Sequence, residues 1–433
     1  MSGRNSEVHH MSQPTNEPIL GYAPGSQERE DLQAEIDHQM SEVIEIPCII
    51  NGEAVYTGTT TTQVIPHKHG HIIANVHLAG REEMEAACEA AVNAQEAWID
   101  LGLEGRCAIF ERCADLLAGE WRMRVNASTM LNQSKTAFQA EIDAACELID
   151  FWRFNCHYAR GFHDDFQPLV SPAGVQNSTE IRPLEGFVLS ITPFNFSSIA
   201  ANLPSAPAIV GCTGVWKPSR NSYHSNYVLM QLMMEAGLPA GVINFLPGSG
   251  AEITEVALAN PNFAGLHFTG STATFQGLWQ EIGLALPRLN SYPRIVGETG
   301  GKDFVVAHPD CDRQGLVVAL LRGSFEYQGQ KCSAASRAYI ARSVWDEIRD
   351  DLVSEISKIK MGDARDFTNF MTAVIDKRAF EKIAGYIDRA KGRNCCTVIC
   401  GGGYNDSVGY FIEPTIIETT NPTSESMVEE IFG

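Results

Sequence analysis

The stretch GFVLSITPFNFSSIAANLPSAPAIVGCTGVWKP, residues 186–218, contains two short apolar runs, GFVLSIT and TGVWKP. Two further runs, GVINFLPG at 241–248 and GLHFTG at 265–270, follow it, and helical stretches such as NYVLMQLMMEAG (226–237) alternate with the runs. Strands that alternate with helices and end at Gly or Pro are typical of a parallel, doubly wound sheet. We therefore predict an α/β fold for this part of the chain.

The sequence on both sides of this region predicts further elements. The N-terminal side predicts a helix over residues 27–43, short strands from about 48 to 77, and helices over 81–160, where apolar residues recur every three or four positions. Beyond Glu298 a second α/β unit is expected, with strands near 304–308 and 337–342 and helices over 315–327 and 343–359. A chain of 433 residues can hold two or three such domains.

The composition excludes several classes of partner. The chain has 53 acidic and 32 basic residues, a net charge of −21, which repels nucleic acid and anionic membranes. No run of 18 apolar residues predicts a membrane span. Residues 1–22 have neither the apolar core of a signal peptide nor the Arg-rich composition of a transit peptide, so their composition indicates the cytosol.

Twelve cysteines are scattered along the chain without CxxC pairs, so we expect reduced and mostly buried thiols. Cys332 differs from the rest, because FEYQGQKCSAAS (325–336) places it beside the positive charge of Lys331 and among small residues. Thiolate character and access are what a nucleophile needs. The alternative is a buried structural thiol.

Three other polar residues lie in positions suited to chemistry. Glu298, in the Gly-rich GETGGKDF (297–304), is a candidate general base or a surface acid. Asn195 follows a strand and a proline, where its amide can donate to an oxyanion or form a turn. Lys217, in WKPS, can bond a ribose hydroxyl or lie in solvent.

Two further motifs suggest ligands. Gly270 and Ser271, in LHFTGSTATF (266–275), end a strand and open a helix, and backbone N–H groups at a helix N-terminus cradle phosphate. The run PHKHGHI places His67, His69 and His71 on one face if it is a strand, which suggests either a metal site or a turn between strands. We favour the turn.

Taken together, FNF, WKPS, FTGS, GETGGK, GQKCS and EEIFG occur in the order and spacing of the NAD(P)-dependent aldehyde dehydrogenases, and the chain resembles this family over nearly its whole length. The resemblance implies a Rossmann-type NAD-binding domain over 1–162 and 183–299, and part of a β-flap for oligomerisation over 163–182. It also implies an α/β catalytic domain over 300–433. We expect that domain to be incomplete, because family members continue for a substantial C-terminal stretch.

The resemblance also implies roles for individual residues. Cys332 matches the nucleophile, Asn195 and the Cys332 N–H match the oxyanion donors, and Glu298 matches the base that activates water, without a metal. The positions that match cofactor contacts are Thr192, Lys217, Gly270, Ser271, Thr272, Ala273, Thr274 and Glu430. Many members carry an acid where this chain has Arg220, so NADP is an alternative to the favoured NAD.

Within the family, segments such as NEPILGYAPGSQERE and AEIDAACELIDFWRFN are similar to the 1-pyrroline-5-carboxylate dehydrogenases, which oxidise L-glutamate γ-semialdehyde to glutamate in proline catabolism. Lys331, Ser333 and Glu141 match substrate-pocket positions of that subfamily. Two alternatives remain: an enzyme for another aldehyde such as succinate semialdehyde, and an inactive shortened form. The resemblance implies a homodimer, which depends on a terminal strand absent here. It also implies the mitochondrial matrix, with the cytosol as the alternative.

Overall fold

The computed structural model describes residues 13–433, without the side chains of His163 and Asp164. Its helices are α1 (Gln27–Ser41), α2 (Arg81–Asp100), α3 (Gly102–Ala118), α4 (Arg122–Gln133), α5 (Ala137–Ala140), α6 (Glu147–Asp165), α7 (Ser197–Ile209), α8 (Tyr223–Glu235), α9 (Gly250–Ala259), α10 (Thr272–Ala285), α11 (Arg313–Phe325), α12 (Arg342–Ser357), α13 (Lys377–Lys391) and α14 (Glu425–Val428). A π-helical turn, Glu141–Cys146, joins α5 to α6.

The strands of the described chain are β1 (Ile44–Ile46), β2 (Cys48–Ile50), β3 (Glu53–Val55), β4 (Thr60–Ile65), β5 (Lys68–His77), β6 (Phe187–Ile191), β7 (Thr213–Lys217), β8 (Ile243–Phe245), β9 (Phe263–Gly270), β10 (Arg294–Thr299), β11 (Phe304–Ala307), β12 (Arg337–Ile340), β13 (Cys396–Cys400), β14 (Tyr404–Asn405), β15 (Phe411–Ile412) and β16 (Ile416–Thr419). Outside the segment 163–182, the helices and strands predicted from residue 27 to 359 are confirmed, with shifts of a few residues at their ends.

The largest sheet has seven strands in the order β10-β9-β6-β7-β8-β2-β3. Its first five strands are parallel, and β2 pairs antiparallel with both β8 and β3. The chain runs outward from β6 through β7 to β8, then crosses to β9 and β10 on the other side. This reversal makes a switch point between β6 and β9, where ligands of doubly wound sheets bind at the carboxyl ends of the strands.

Helices cover both faces of this sheet, and this explains why its strands read as continuous apolar runs. Four of the five residues of β6 and of β7 are buried. One core contains the fully buried rings of Phe110, Trp152 and Phe245, and the other contains Phe187 and Phe263. The sheet is thus a rigid platform whose carboxyl edge can present side chains.

The histidine run lies at the turn between β4 and β5 and along β5, in the three-stranded sheet β1-β5-β4. His67 Nδ1 lies 2.8 Å from Ser134 Oγ, His69 Nε2 lies 2.8 Å from the Asp406 carbonyl, and His71 Nε2 lies 3.0 Å from the Met40 carbonyl. The three rings therefore contact three separate partners. Within residues 13–433, no group of three or more potential ligands could hold a metal ion.

The second α/β unit begins at β11, which pairs in parallel with β12. Helices α11 and α12 pack on it through a core that includes Leu316, Leu320, Ile348 and Leu352. An additional amphipathic helix, α13, was not predicted, although the Asp376 carboxylate caps it by accepting a bond from the Ala379 N–H at 2.8 Å. The remaining strands form the antiparallel pairs β13-β16 and β14-β15.

The segment predicted as a β-flap, residues 163–182, contains no strand: α6 ends at Asp165, and residues 166–182 join no ladder of the described chain. The predicted role of this segment in an oligomerisation flap stays a prediction. The Gln167 side chain bonds both the N–H and the C=O of Thr179 at 3.0 Å, as a neighbouring strand would. Leu169 is fully exposed, so no apolar face fixes a strand register here.

All twelve cysteines are free thiols, seven of them buried and five partly exposed. This agrees with the predicted absence of a disulfide framework. Among the described helices, none combines the length and apolar character needed to span a bilayer.

Candidate active site

The predicted site residues converge on the carboxyl edge of the large sheet. Thr192 follows β6, Lys217 is the last residue of β7, Gly270 is the last of β9, and Glu298 precedes the last residue of β10. Parallel pairing aligns these strand ends, since Glu298 lies opposite Thr269 in the β10–β9 ladder. The structure therefore brings these four residues to the switch point.

Glu298 differs from its prediction in one respect. The glycines around it suggested a sharp turn, but Glu298 lies in β10, an edge strand, with an exposed side chain. A glycine is needed at position 297 because a Cβ there would overlap the Phe275 ring. Close packing of α10 on the strand, rather than a turn, therefore explains this glycine.

Helix α10 begins directly after β9 and points its N-terminus at the same edge. Ser271 caps it: its Oγ accepts a hydrogen bond from the Thr274 N–H at 3.2 Å. Thr272, Ala273 and Thr274 are all exposed. Because the first N–H groups of a helix have no partner within it, this end is suited to bind phosphate.

Thr192 and Lys217 lie on the other side of the switch point. Thr192 is buried, and its Oγ1 accepts a bond from Trp216 Nε1 at 3.0 Å. Burial, assisted by the Arg220 guanidinium, lowers the pKa of Lys217 to about 8. Arg220 is exposed and lies near enough to Lys217 to lower the pKa of that lysine. Its predicted influence on the choice between NAD and NADP stays a prediction.

The Cys332 turn (residues 326–332) has an unusual backbone. Tyr327, Gln328 and Gly329 have φ values of 49°, 56° and 71°, which are left-handed conformations that cost non-glycine residues about 1–2 kcal/mol each. Buried hydrogen bonds hold this strained segment, including one at 2.6 Å from Gln328 Nε2 to the Ala373 carbonyl. The strain lies immediately before the predicted nucleophile.

Asn195 connects the sheet to this turn. Its side chain is buried, and its Nδ2 donates to the Gln330 carbonyl at 3.0 Å. Gln330 is fixed in turn, because its Oε1 accepts a bond from the Ile375 N–H at 2.9 Å. One hydrogen of the Asn195 NH₂ group thus bonds the Gln330 carbonyl and holds the turn. The second hydrogen of the same NH₂ group can be donated to another acceptor.

Cys332 is partly exposed and lines a cavity of about 760 Å³ together with Lys331, Gly301 and Glu430. Burial, followed by the charge of Glu298, raises the pKa of the Cys332 thiol, which places the predicted nucleophile and base within electrostatic range. Backbone hydrogen bonds at Cys332 and Ser333 act in the opposite direction.

The positive charge of Lys331 lies close to two carboxylates. Its Nζ lies 3.0 Å from Asp143 Oδ2 and 3.9 Å from Glu326 Oε2, and the pKa of Cys332 is raised rather than lowered. The predicted influence of Lys331 on the Cys332 thiolate stays a prediction. Ser333 is exposed next to Cys332, and its substrate role stays a prediction.

Glu430 reaches the same cavity from the end of the described chain. Its carboxylate packs so closely on Gly300 that a Cβ there would overlap it. No role was predicted for Lys302, although its Nζ is buried and donates no hydrogen bond within the described chain. Burial and Arg337 lower the pKa of Lys302 to about 8, and Glu430 opposes this shift.

Glu141 lies in the π-helical turn, away from the carboxyl edge of the sheet. Its fully buried carboxylate accepts hydrogen bonds from the Tyr22 hydroxyl at 2.6 Å, from Asn126 Nδ2 at 2.8 Å and from the Leu20 N–H at 2.8 Å, and it pairs with Arg122. These contacts anchor the N-terminal segment to α4. Its predicted contact with substrate stays a prediction.

Comparison with known proteins agrees with this geometry. A model of the aldehyde dehydrogenase family matches residues 55–433. The chain belongs to the aldehyde dehydrogenase family. The delta-1-pyrroline-5-carboxylate dehydrogenase of Agaricus bisporus is 47% identical over 421 residues, which span 97% of this chain and 77% of that protein. The mitochondrial delta-1-pyrroline-5-carboxylate dehydrogenase of Homo sapiens is 42% identical over 419 residues, 96% of this chain and 74% of that protein.

Solved structures give the same result. The crystal structure of the Delta-pyrroline-5-carboxylate dehydrogenase from Mycobacterium tuberculosis bound with NAD superposes with a TM-score of 0.94 at 49% identity, covering 96% of this chain and 78% of that one. The predicted family resemblance is thereby confirmed, as is the α/β fold of the aldehyde dehydrogenases.

Proposed function

We propose that this chain oxidises L-glutamate γ-semialdehyde, the open form of 1-pyrroline-5-carboxylate, to L-glutamate with NAD. The observation that carries the proposal is the convergence of Cys332, Glu298 and Asn195 at the switch point, next to the N-terminus of α10. The relatives named as 1-pyrroline-5-carboxylate dehydrogenases support the choice of substrate.

The site fits a dinucleotide. The first-turn N–H groups of α10 that Ser271 leaves without a partner suit a pyrophosphate, and Lys217 at the end of β7 can donate to a ribose hydroxyl. Glu430 would hold the nicotinamide ribose from the other side of the cavity. NAD, when bound, supplies the acceptor for the hydride that leaves the substrate carbon.

The chain's own residues carry the covalent steps. The partly exposed Cys332 thiol loses its proton to solvent, and its sulfur attacks the aldehyde carbon to form a C–S bond, while the carbonyl oxygen becomes an oxyanion. The Asn195 amide and the Cys332 N–H stabilise this oxyanion, a contribution of roughly 3 kcal/mol per donor. Loss of hydride and collapse of the oxyanion leave a thioester on Cys332.

Glu298 acts in the second half of the reaction. Its carboxylate takes a proton from water, the oxygen of which attacks the thioester carbon and breaks the C–S bond. The proton held by Glu298 passes to the departing Cys332 sulfur, so the products are glutamate and the Cys332 thiol. Exposure of Glu298 at the edge of the sheet gives water direct access to it.

The substrate carries an α-carboxylate, which requires a cation. Lys331 lines the cavity with Cys332 and carries the nearest ammonium along the chain. We propose it as the partner of the anionic substrate, with Ser333 beside it. We also propose the mitochondrial matrix as the compartment, a choice supported by the name of the human relative.

The first test is NADH formation by the purified chain with 1-pyrroline-5-carboxylate, beside the variant Cys332→Ala. We expect turnover in the unaltered chain and none above background in the variant, because the proposed thioester forms on the Cys332 sulfur. Cys395→Ala is the matched control, since Cys395 is also partly exposed but directly precedes β13.

Retained turnover in Cys332→Ala would refute the proposed nucleophile. Running succinate semialdehyde in parallel tests the substrate: a higher kcat/KM for that aldehyde would replace the proposed substrate without changing the chemistry.

A further inference from the structure

Lys135 is a buried cation that the proposed reaction does not use. It follows α4, and its side chain has no exposed surface. An ammonium removed from water costs several kcal/mol unless it is paired, so a lysine at this depth requires a specific partner. Burial lowers the pKa of Lys135 to about 8.

That partner is Asp143, which also binds a second lysine. Lys135 Nζ lies 2.5 Å from Asp143 Oδ2, and Lys331 Nζ lies 3.0 Å from the same oxygen. Asp143 is itself buried. One carboxylate therefore bridges two ammonium groups, and the cluster of Lys135, Asp143 and Lys331 by itself has one positive charge in excess. The Glu326 carboxylate lies farther off, 3.9 Å from Lys331 Nζ.

Lys135 also contacts the Cys332 turn. Its ammonium lies 4.3 Å from the ring centre of Tyr327 and 4.4 Å from that of Phe196, within the range of cation–π attraction. Tyr327 is the first of the left-handed residues, and Phe196 follows Asn195 in the chain by one residue. Lys135 thus lies behind both the nucleophile and the oxyanion donor.

We propose that Lys135 is a positioning residue that acts through Asp143 on Lys331, so that the ammonium of Lys331 and the excess positive charge face a carboxylate-bearing aldehyde. This inference rests on the proposed function. Without the charge of Lys135, Asp143 would pair with Lys331 alone. The cluster would then be neutral, and Lys331 would be drawn away from the substrate.

The test is the variant Lys135→Met, which keeps the length of the side chain and removes the charge. We expect kcat/KM for glutamate semialdehyde to fall by about tenfold to a hundredfold, the usual effect of losing one charge-assisted contact. For a neutral aldehyde such as pentanal we expect a change of less than about threefold. An equal loss for both aldehydes would overturn the proposal, because a purely structural role acts on both alike.

A double-mutant cycle tests the route through Lys331. In the background of Lys331→Met, adding Lys135→Met should change kcat/KM for glutamate semialdehyde by less than about twofold, since the group through which Lys135 acts is gone. Additive losses would overturn the proposal. NAD binding is the control for folding and should match that of the unaltered chain in every variant.

If Lys135→Met does not fold, the pH dependence of the unaltered chain gives the same information. The ionisable groups that face Lys135 are Asp143, Lys331, Glu147 and Tyr327. The preference for the acidic over the neutral aldehyde should fall as pH rises through about 8, and this fall should be absent in Lys331→Met. A preference that stays constant to pH 9.5, or falls only near the ordinary lysine pKa of about 10.4, would overturn the proposal.

No turnover of either aldehyde by the unaltered chain would refute the proposed function and this inference together. Turnover with an unchanged preference in Lys135→Met would refute the role of Lys135 alone.

Discussion

The carboxyl edge of the large sheet and the Cys332 turn face each other across the site, but they are built differently. At the edge, side chains project from ordinary strand ends, and α10 begins with a regular serine cap. In the Cys332 turn, two non-glycine residues adopt left-handed conformations that only buried side-chain bonds can hold. The proposed cofactor contacts thus depend on local structure, whereas the nucleophile depends on a network that spans the chain.

The largest expected effect is chemical. Glu298→Gln should lower kcat by about a hundredfold or more, because no carboxylate remains to activate water for thioester hydrolysis. A single-turnover burst of NADH should persist, since the attack by Cys332 does not need Glu298. Stopped-flow absorbance measures both, and Glu281→Gln on the exposed face of α10 is the control. Loss of the burst would assign Glu298 to the first half of the reaction instead.

The second prediction concerns the network behind the turn. Gln328→Ala should lower the free energy of unfolding by about 3 kcal/mol, because it leaves the buried Thr372 N–H and Ala373 C=O without their partner. Denaturant unfolding measures this, with the exposed Gln314→Ala as control.

Comparison with Gln328→Gly separates the two contributions at this position. Glycine removes the same bonds but relieves the left-handed strain, so it should cost about 1 kcal/mol less than alanine. Equal losses would show that strain at Gln328 is negligible.

The third prediction concerns His224, on the helix α8 that follows β7. Burial lowers the pKa of His224, on α8, to about 4, and Arg124 adds repulsion. The unfolded chain binds a proton at His224 near pH 6.5 and the folded chain does not, so stability is lost as pH falls from about 6.5 to 4. This group contributes roughly 3 kcal/mol of that loss.

In His224→Gln this part of the acid sensitivity should disappear, whereas the exposed His38→Gln should keep it. Urea unfolding at a series of pH values compares the two variants. Parallel stability curves for His224→Gln and the unaltered chain would contradict the prediction.

The smallest expected effect compares two helix caps. Ser271→Ala on α10 and Asp312→Ala on α11 should each lower stability by about 1 kcal/mol, because each removes the acceptor for an N-terminal N–H. Only Ser271→Ala should raise the KM for NAD, by about twofold to fivefold, since only α10 faces the proposed cofactor site. Equal KM values for the two variants would place the pyrophosphate elsewhere.

The same contrast separates what the sequence could predict from what it could not. Strands β6, β7 and β9 are apolar runs that end at Gly or Pro, so the switch point and the start of α10 follow from local patterns. The strand that contains Glu298 could not be predicted from the sequence. A glycine required for packing against Phe275 has the same appearance in the sequence as a glycine of a turn.

The contacts that hold the Cys332 turn could not be predicted from local sequence patterns. Of the three left-handed residues of the turn, Gly329 is the one whose residue type commonly adopts this conformation. The residue types of Tyr327 and Gln328 do not predict it. Asp143 lies eight positions after Lys135, a spacing that predicts no contact, because the π-helical turn between α5 and α6 sets their distance. Burial of an ammonium is decided by tertiary packing, which no single window of sequence contains.

The difference in exposure among the thiols makes folded and unfolded copies of the molecule chemically distinguishable. A modifying reagent can reach five cysteines of the folded chain, and the seven buried ones react only when the structure opens. Burial raises the pKa of Cys48 and of Cys88 to about 12, which suppresses the reactive thiolate further. The mass of each alkylated molecule therefore distinguishes intact from opened copies in one mixed sample, without an added label.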